Sequence, residues 1–301
     1  MSLKSRFLDP DLVRRLGRAE VKARQTVEGF LTGLHTSPYR GFSVEFAEHR
    51  SYVPGDDPRH IDWKVYGRRE RYYIKQYHEE TNFVATILLD ASESMTFSSS
   101  RMSKLEYGCI LATALSLIVL RQNDAAALGL FDRQATGYLP PGTRLPFIAR
   151  LAEVLDRIQP TGRTDIAGSL EQYTRLVARR GIIVVISDFL DNPAAILKGL
   201  RKLKFAGHEV VAINVLDPHE LEFPLKGHIR FEGIELDARV RVEPHRIRDA
   251  YLDALEKHLH AVRVGCSRSG IDHRLASTAE PVEELLLGYL ATRHKVRRVA
   301  R

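Results

Sequence analysis

Val84-Ala85-Thr86-Ile87-Leu88-Leu89-Asp90 is an apolar, β-branched run that ends in a carboxylate and opens directly into Ala91-Ser92-Glu93-Ser94. A run of that length and composition reads as a strand buried on both faces, the kind found in parallel sheets. Parallel strands present ligands from their carboxyl ends, so Asp90 sits where a site would be. Asp90, Ser92 and Ser94 alternate with other residues, which lets three oxygen-bearing side chains converge from one tight turn. One carboxylate and two hydroxyls suit Mg²⁺, a hard cation that takes oxygen ligands in octahedral geometry and keeps some of its waters. Zinc favours a different donor set.

Two later stretches complete the pattern. Ile182-Ile183-Val184-Val185-Ile186-Ser187-Asp188 is a second buried strand ending in aspartate, and Thr161-Gly162-Arg163-Thr164-Asp165-Ile166 is a turn leading into a helical pattern. Further strands are expected at Ala125–Phe131 and Val210–Leu216 beside Phe83–Leu89, with helices beginning near Met102, Arg144, Asp165, Pro193, Arg246 and Glu280. This alternation predicts an α/β fold: three layers built on a doubly wound, mostly parallel, Rossmann-like sheet. Asp90, Asp132, Asp188 and Asp217 would rim one edge of that sheet. With strand order 3-2-1-4-5, the switch point falls between the first and fourth strands, those ending in Asp90 and Asp188.

Around this core, Gly227-His228-Ile229-Arg230-Phe231-Glu232 and Ala238-Arg239-Val240-Arg241-Val242 read as a hairpin, inserted at about 226–243, that extends the sheet or braces the amino-terminal segment. Ser277 and Glu280 have capping-box spacing, and Pro281 is tolerated in a first turn, so Val282–Leu290 should be a closing helix. Residues 1–81 form a different region, an amino-terminal helix plus β extension. A helical stripe (Leu12, Val13, Leu16, Ala19, Val27, Phe30, Leu31) precedes Gly41–Phe46, a turn block and Tyr72–Tyr77. The expected organisation is therefore 1–81, 82–292 for the α/β domain, and a basic tail at 293–301.

Each site residue has an ordinary structural reading when taken alone. Asp or Ser after a strand commonly caps the next helix, Thr164 would serve as a cap or turn residue, and Asp188 is a common strand-end residue. Their conjunction and order carry the inference. Asp-x-Ser-x-Ser, then a Thr in a Gly-containing turn, then an Asp after a buried strand resembles the metal-ion-dependent adhesion site of von Willebrand factor A domains. The resemblance implies that Asp90, Ser92, Ser94, Thr164 and Asp188 are its five positions, holding Mg²⁺ or Mn²⁺.

A second block lies upstream: Arg50-Ser51-Tyr52-Val53-Pro54-Gly55-Asp56-Asp57-Pro58-Arg59-His60-Ile61-Asp62-Trp63. Together with the later Asp-x-Ser-x-Ser site and the Gly270-Ile271-Asp272 region, it resembles the bacterial family named domain of unknown function fifty-eight, over nearly the whole chain. That resemblance implies association with a MoxR-type AAA+ ATPase. Asp57-Pro58 restricts the block to an extended entry into a turn. Asp56, Asp57, Arg59, Asp62 and Trp63 form either a structural knot, with Arg59 paired to a carboxylate and Trp63 covering the sheet, or a docking surface for the ATPase.

Composition bounds the remaining choices. The chain has 301 residues, 44% of them apolar, enough for one large core with a smaller satellite. No run reaches the roughly 18 apolar residues of a spanning helix; Gly108–Leu120 reads instead as a central buried helix. Met1-Ser2-Leu3-Lys4-Ser5-Arg6 is not followed by the apolar region of a signal peptide, so a cytoplasmic location is expected. Cys109 and Cys266 lack ligand spacing and read as reduced packing residues. Of the net charge of +7, Arg293, Lys295, Arg297, Arg298 and Arg301 form the basic tail. It reads as a solvated terminus, or as a peripheral contact to an acidic partner or anionic membrane; it lacks the aromatic interleaving of a nucleic-acid site.

Enzymatic readings find little purchase. A Gly-x-Ser-x-Gly elbow and a Gly-x-x-x-x-Gly-Lys-Ser/Thr loop are both absent, and an aspartyl phosphotransferase would place a second acid at the position of Ser92. His258 and His260 fall on different faces of one helical pattern. The alternatives are a metal-dependent phosphoesterase built on Asp90, Asp188 and Asp217, or nucleic-acid binding through the tail. The expectation is a non-enzymatic interaction module. It would bind a client presenting Asp or Glu through the shared cation and act as adaptor for the ATPase in protein maturation or assembly.

Overall fold

The structure is a computed structural model that describes residues 44–52, 62–69, 71–79, 83–160, 162, 164–227, 229–232 and 239–288. They fall into two compact units, one within Leu34–Asn82 and one continuing from Phe83. The amino-terminal helical stripe, Asp56, Asp57, Arg59 and the basic tail lie outside the described residues.

In the smaller unit, β1 (Val44–Ser51) and β2 (Tyr73–Glu79) pair antiparallel with an irregularity between Phe46 and Glu48. Between them the chain makes a short helix, α1 (Trp63–Arg69), where the sequence suggested only a turn. Asp62 starts it: its main-chain carbonyl accepts from Val65 and Tyr66 at 3.1 and 3.0 Å, and its Oδ1 accepts from the Val65 N–H at 3.3 Å. This is N-capping, which satisfies donors that a helix start leaves open. Trp63, which one of the two readings of the block has covering the sheet, is 61% exposed. It stands edge-on to Tyr66 and Tyr72, which stack at 4.6 Å between ring centroids.

The larger unit begins with β3 (Val84–Asp90) and continues through α2 (Lys104–Arg121), β4 (Ala125–Phe131), β5 (Ala135–Gly142), α3 (Pro146–Asp156), α4 (Ile166–Leu176), β6 (Ile182–Ser187), α5 (Pro193–Phe205) and β7 (Glu209–Leu216). After the short α6 (Pro218–Glu222) come β8 (Ile229–Glu232), β9 (Arg239–Val242), the long α7 (Pro244–Arg268), β10 (Asp272–Ser277) and a helix at 282–288. The central sheet has the order β10-β7-β6-β3-β4-β5; all pairs are parallel except β4 with β5. From β5 this reads 3-2-1-4-5-6, with β3 and β6 adjacent at the centre. The fold is α/β, three layers around a mostly parallel sheet.

Side-chain alternation divides the core between the two sheet faces. Leu88, Ile183, Val185, Val210 and Ala212 pack against Ile166 and Leu170 of α4, Ile196 and Leu200 of α5, and Val262 and Cys266 of α7. On the opposite face, Leu89 and Ile186 meet α2 at Gly108, where an added Cβ would fall 2.7 Å from a Leu89 methyl. Glycine is what allows that helix to lie so close. Ile87, Leu88 and Leu89 are fully buried, each worth about 1.5–3 kcal/mol relative to exposure. Cys109 and Cys266 are buried on α2 and α7, as packing residues should be.

Two strands of the central sheet escaped the sequence reading. β5 carries Pro140 and Pro141, which demote a run to an edge strand at best, and among the described residues it pairs only with β4. β10, Asp272-His273-Arg274-Leu275-Ala276-Ser277, is too polar to read as a buried strand. The expected hairpin does form, with Ile229 opposite Val242, but as a separate two-stranded sheet rather than an extension of the central one.

Asp124, just before β4 at the amino edge of the sheet, is buried. Burial lifts its carboxyl from 3.8 to about 7, against the Phe83 amide that favours the charged form. The folded state therefore holds this proton to higher pH than the unfolded chain, and stability is lost as pH rises between those two values. Asp124→Asn should raise the melting temperature by several degrees at pH 8 and by little at pH 4. Thermal unfolding across that range measures the difference.

Candidate metal centre at the carboxyl edge of the sheet

The β3–β6 register pairs Leu89 with Ile186, which brings Asp90 and Ser187 side by side at the carboxyl end of the sheet. Asp90 is fully buried. Its Oδ2 accepts from the Ser187 hydroxyl at 2.6 Å, and its Oδ1 accepts from the Ser92 amide at 3.0 Å. Ser187 Oγ in turn accepts from the Phe189 N–H at 3.0 Å. The turn after β3 is anchored by Ala91 N–H donating to the Phe131 carbonyl at 2.7 Å and by the fully buried Met95 in a short 3₁₀ segment, Glu93–Thr96. Within it the Ser92 and Ser94 hydroxyls lie 3.1 Å apart.

Thr164 approaches from the turn before α4. Glu93 N–H donates to the Gly162 carbonyl at 3.2 Å, which ties this turn to the one carrying Ser92 and Ser94. The capping role belongs to the next residue: Asp165 Oδ1 accepts from the Gly168 N–H at 2.9 Å. Thr164 Oγ1 is buried and has no hydrogen-bond partner among the described residues. A buried hydroxyl in that condition costs about 1–3 kcal/mol unless something else binds it.

Asp188 follows β6 and is buried. Its Oδ1 accepts from the Leu190 N–H at 3.2 Å, and its Oδ2 lies 2.7 Å from Lys104 Nζ. Lys104 also reaches Glu220 Oε1 at 2.7 Å. Burial disfavours the ammonium, yet the two carboxylates outweigh it and hold the Lys104 pKa above its ordinary value. Asp90 shows the opposite balance. Burial, and after it the negative charge of Asp188, push its carboxyl up to about 7 against the Ser187 and Ser92 hydrogen bonds. Two carboxylates are thus gathered at one strand-end crevice where, among the described residues, only Asp188 has an internal cation.

All five site residues named from the sequence lie on the turns and strand ends that meet here. The donors are carboxylate and hydroxyl oxygens, and among the described residues one hydroxyl is unpartnered and one carboxylate has no ion pair. A hard oxygen-binding cation such as Mg²⁺ or Mn²⁺ fits that set. Asp217, the third carboxylate of the phosphoesterase alternative, is committed elsewhere. Its Oδ2 accepts from Ser99 N–H at 2.9 Å, and its Oδ1 accepts from His219 N–H at 2.8 Å and from the Ser99 hydroxyl. Among the described residues no group of three or more His, Cys, Asp or Glu side chains could hold a metal ion.

Sequence reasoning missed Ser187, Lys104 and Glu220. The Ser103–Glu106 capping box that starts α2 is legible as Ser-x-x-Glu and puts Lys104 at the first helical position. Nothing local says that its side chain turns toward a residue 84 positions away.

An α/β domain with an oxygen-lined crevice between two adjacent strand ends is the class of protein these features define. Over residues 48–261 the chain matches the family described as protein of unknown function DUF58, and it belongs to that family. An uncharacterized protein of Mycobacterium tuberculosis (strain H37Rv) is 32% identical over 237 residues, 75% of this chain and 72% of that protein. Solved structures similar to it include BatB from Bacteroides thetaiotaomicron, at 15% identity and a TM-score of 0.47 over 71% of this chain and 99% of that one. Another is the vWF domain of the type V pili tip protein Mfa5 from Porphyromonas gingivalis, at 10% identity and 0.35 over 72% and 95%. With scores below 0.5, the description of the fold rests on strand order and register. Among the described residues no helix is long and apolar enough to cross a membrane.

Ser187→Ala would strip Asp90 of its closest donor and the Phe189 amide of its acceptor, both in a buried setting. Urea denaturation should show a loss of about 1–3 kcal/mol, whereas Ser267→Ala, at an exposed position of α7, should change stability by no more than about 0.5 kcal/mol.

Proposed function

We propose that this protein is a non-enzymatic, divalent-cation-dependent interaction module. Asp90, Ser92, Ser94 and Thr164 would hold Mg²⁺ or Mn²⁺, with Asp188 acting through a bound water and a partner Asp or Glu completing the coordination. The cation supplies an electrophilic anchor for that carboxylate. The chain's residues do the rest: Ser187 and the Ser92 amide orient Asp90, and the Gly162–Glu93 bond sets the Thr164 turn against the serine turn. The observation that carries the reading is Thr164 Oγ1, buried and without a partner among the described residues, on a turn that the Gly162–Glu93 bond ties to the turn of the Ser92–Ser94 hydroxyl pair. Half-exposed Leu190, two residues from Asp188, offers apolar contact area at the rim.

Family resemblance supports a MoxR-type AAA+ ATPase as partner, with the module linking it to a client protein in maturation or assembly. The docking surface would be Asp56, Asp57, Arg59, Asp62 and Trp63, and among the described residues of that block Trp63 is exposed. Phosphoester hydrolysis is disfavoured because Asp217 is occupied by the Ser99 and His219 donors.

Thermal unfolding in EDTA against a Mg²⁺ and Mn²⁺ titration tests the site. At one hundred times Kd a ligand adds about 2.7 kcal/mol, a rise of several degrees for a domain of this size. Wild type should show that saturable rise and Asp90→Asn should not. Capture of a carboxylate-bearing client should then need the cation and be lost in Ser92→Ala or Thr164→Ala. Capture that survives both substitutions would sink the proposal.

A further inference from the structure

Lys104 is an odd residue to find where it is. It occupies the first position of an 18-residue helix, where the helix dipole is repulsive to a cation. The start of that helix is already secured by Ser103 and Glu106, whose side chain and main chain cap each other at 3.1 and 3.0 Å. Lys104 therefore adds nothing to capping. Its side chain is only 1% exposed, and burying an ammonium costs several kcal/mol unless its partners are well placed. They are: Asp188 Oδ2 and Glu220 Oε1 each at 2.7 Å, with the Phe97 ring centroid at 5.8 Å from Nζ. Glu220 is itself fixed, since its other oxygen accepts from the Asp217 N–H at 2.8 Å.

We infer that Lys104 is an internal counter-ion that competes with the divalent cation for Asp188 and so sets how tightly the centre holds its metal. The inference rests on the metal reading above and goes further by assigning the control of affinity to a residue that is not a ligand. With its ammonium at Asp188, the crevice offers the metal one uncompensated carboxylate, Asp90, instead of two. Binding the cation means either sharing Asp188 or moving Lys104 toward Glu220, the carboxylate it already touches. The affinity of the centre is then lower than its donor set alone would allow, which favours a cation held firmly only when a partner carboxylate joins it.

The test is Mn²⁺ affinity on the full chain, read from the EPR signal of free Mn²⁺. Wild type is compared with the double variant Lys104→Met/Glu220→Gln, which removes one positive and one negative charge and leaves the net charge unchanged. The double variant should bind Mn²⁺ at least about tenfold more tightly, because an unpaired carboxylate close to the site favours bound cation. Equal affinity in the two proteins overturns the inference while leaving the metal site standing. No Mn²⁺ binding in either overturns the site itself, and the inference with it. Should the methionine variant fail to fold, Lys104→Gln/Glu220→Gln keeps hydrogen bonding without charge and carries the same expectation. A further readout needs no substitution: the ¹⁵N-edited signal of the Lys104 ammonium should shift when wild type is saturated with diamagnetic Mg²⁺. An unmoved signal in a Mg²⁺-saturated sample counts against competition for Asp188.

Discussion

Two carboxylates sit at the carboxyl ends of adjacent parallel strands, Asp90 with no exposed surface and Asp188 nearly so. Their mutual repulsion in a desolvated crevice is the constraint around which the rest of this domain is arranged. Like charges brought this close must be offset by donors, by protons or by cations. The protein uses donors for Asp90, through Ser187 and the Ser92 amide, and an internal cation for Asp188. Parallel pairing makes the gathering unavoidable, since neighbouring strands that run the same way end on the same edge.

The sheet's hydrophobic framework fixes these positions to within hydrogen-bond tolerance. β3, β4, β6 and most of β7 are buried along their whole length. A one-residue slip would turn every inward side chain to the opposite face, so register is strongly specified. The same register that packs Leu88 against α4 and α5 also sets Asp90 opposite Ser187. Tyr173 of α4 adds a cross-tie on the other side of β3. Its hydroxyl lies 2.6 Å from the Leu130 and Gly137 carbonyls, joining the helix that follows the Thr164 turn to β4 and β5.

What the sequence made legible follows the range of each interaction. Buried strands with continuous apolar runs, Val84–Leu89 and Ile182–Ile186, announce themselves, and so do strand-end aspartates and the Asp-x-Ser-x-Ser turn. β5 and β10 stayed hidden because edge strands need neither apolar continuity nor a complete ladder: Pro140-Pro141 and Asp272-His273-Arg274 read as breaks. α1 was hidden because a helix of two turns carries too little periodicity, and only the Asp62 cap hints at it. In the site, the five oxygen-bearing residues were readable as a motif, whereas Lys104 was not. Its meeting with Asp188 and Glu220 depends on how α2 lies across the sheet, which no local pattern encodes.

The two prolines of β5 have an effect beyond hiding that strand. Among the described residues β5 pairs with β4 on one side only and so forms an outer margin of the sheet. Proline has no amide hydrogen, so this stretch cannot offer a regular row of donors to an incoming strand. Another chain finds a broken template there for prolonging the sheet. Indiscriminate strand-to-strand pairing along that border is thereby hindered, while the carboxyl-edge loops that hold Asp90 and Asp188 stay clear of it.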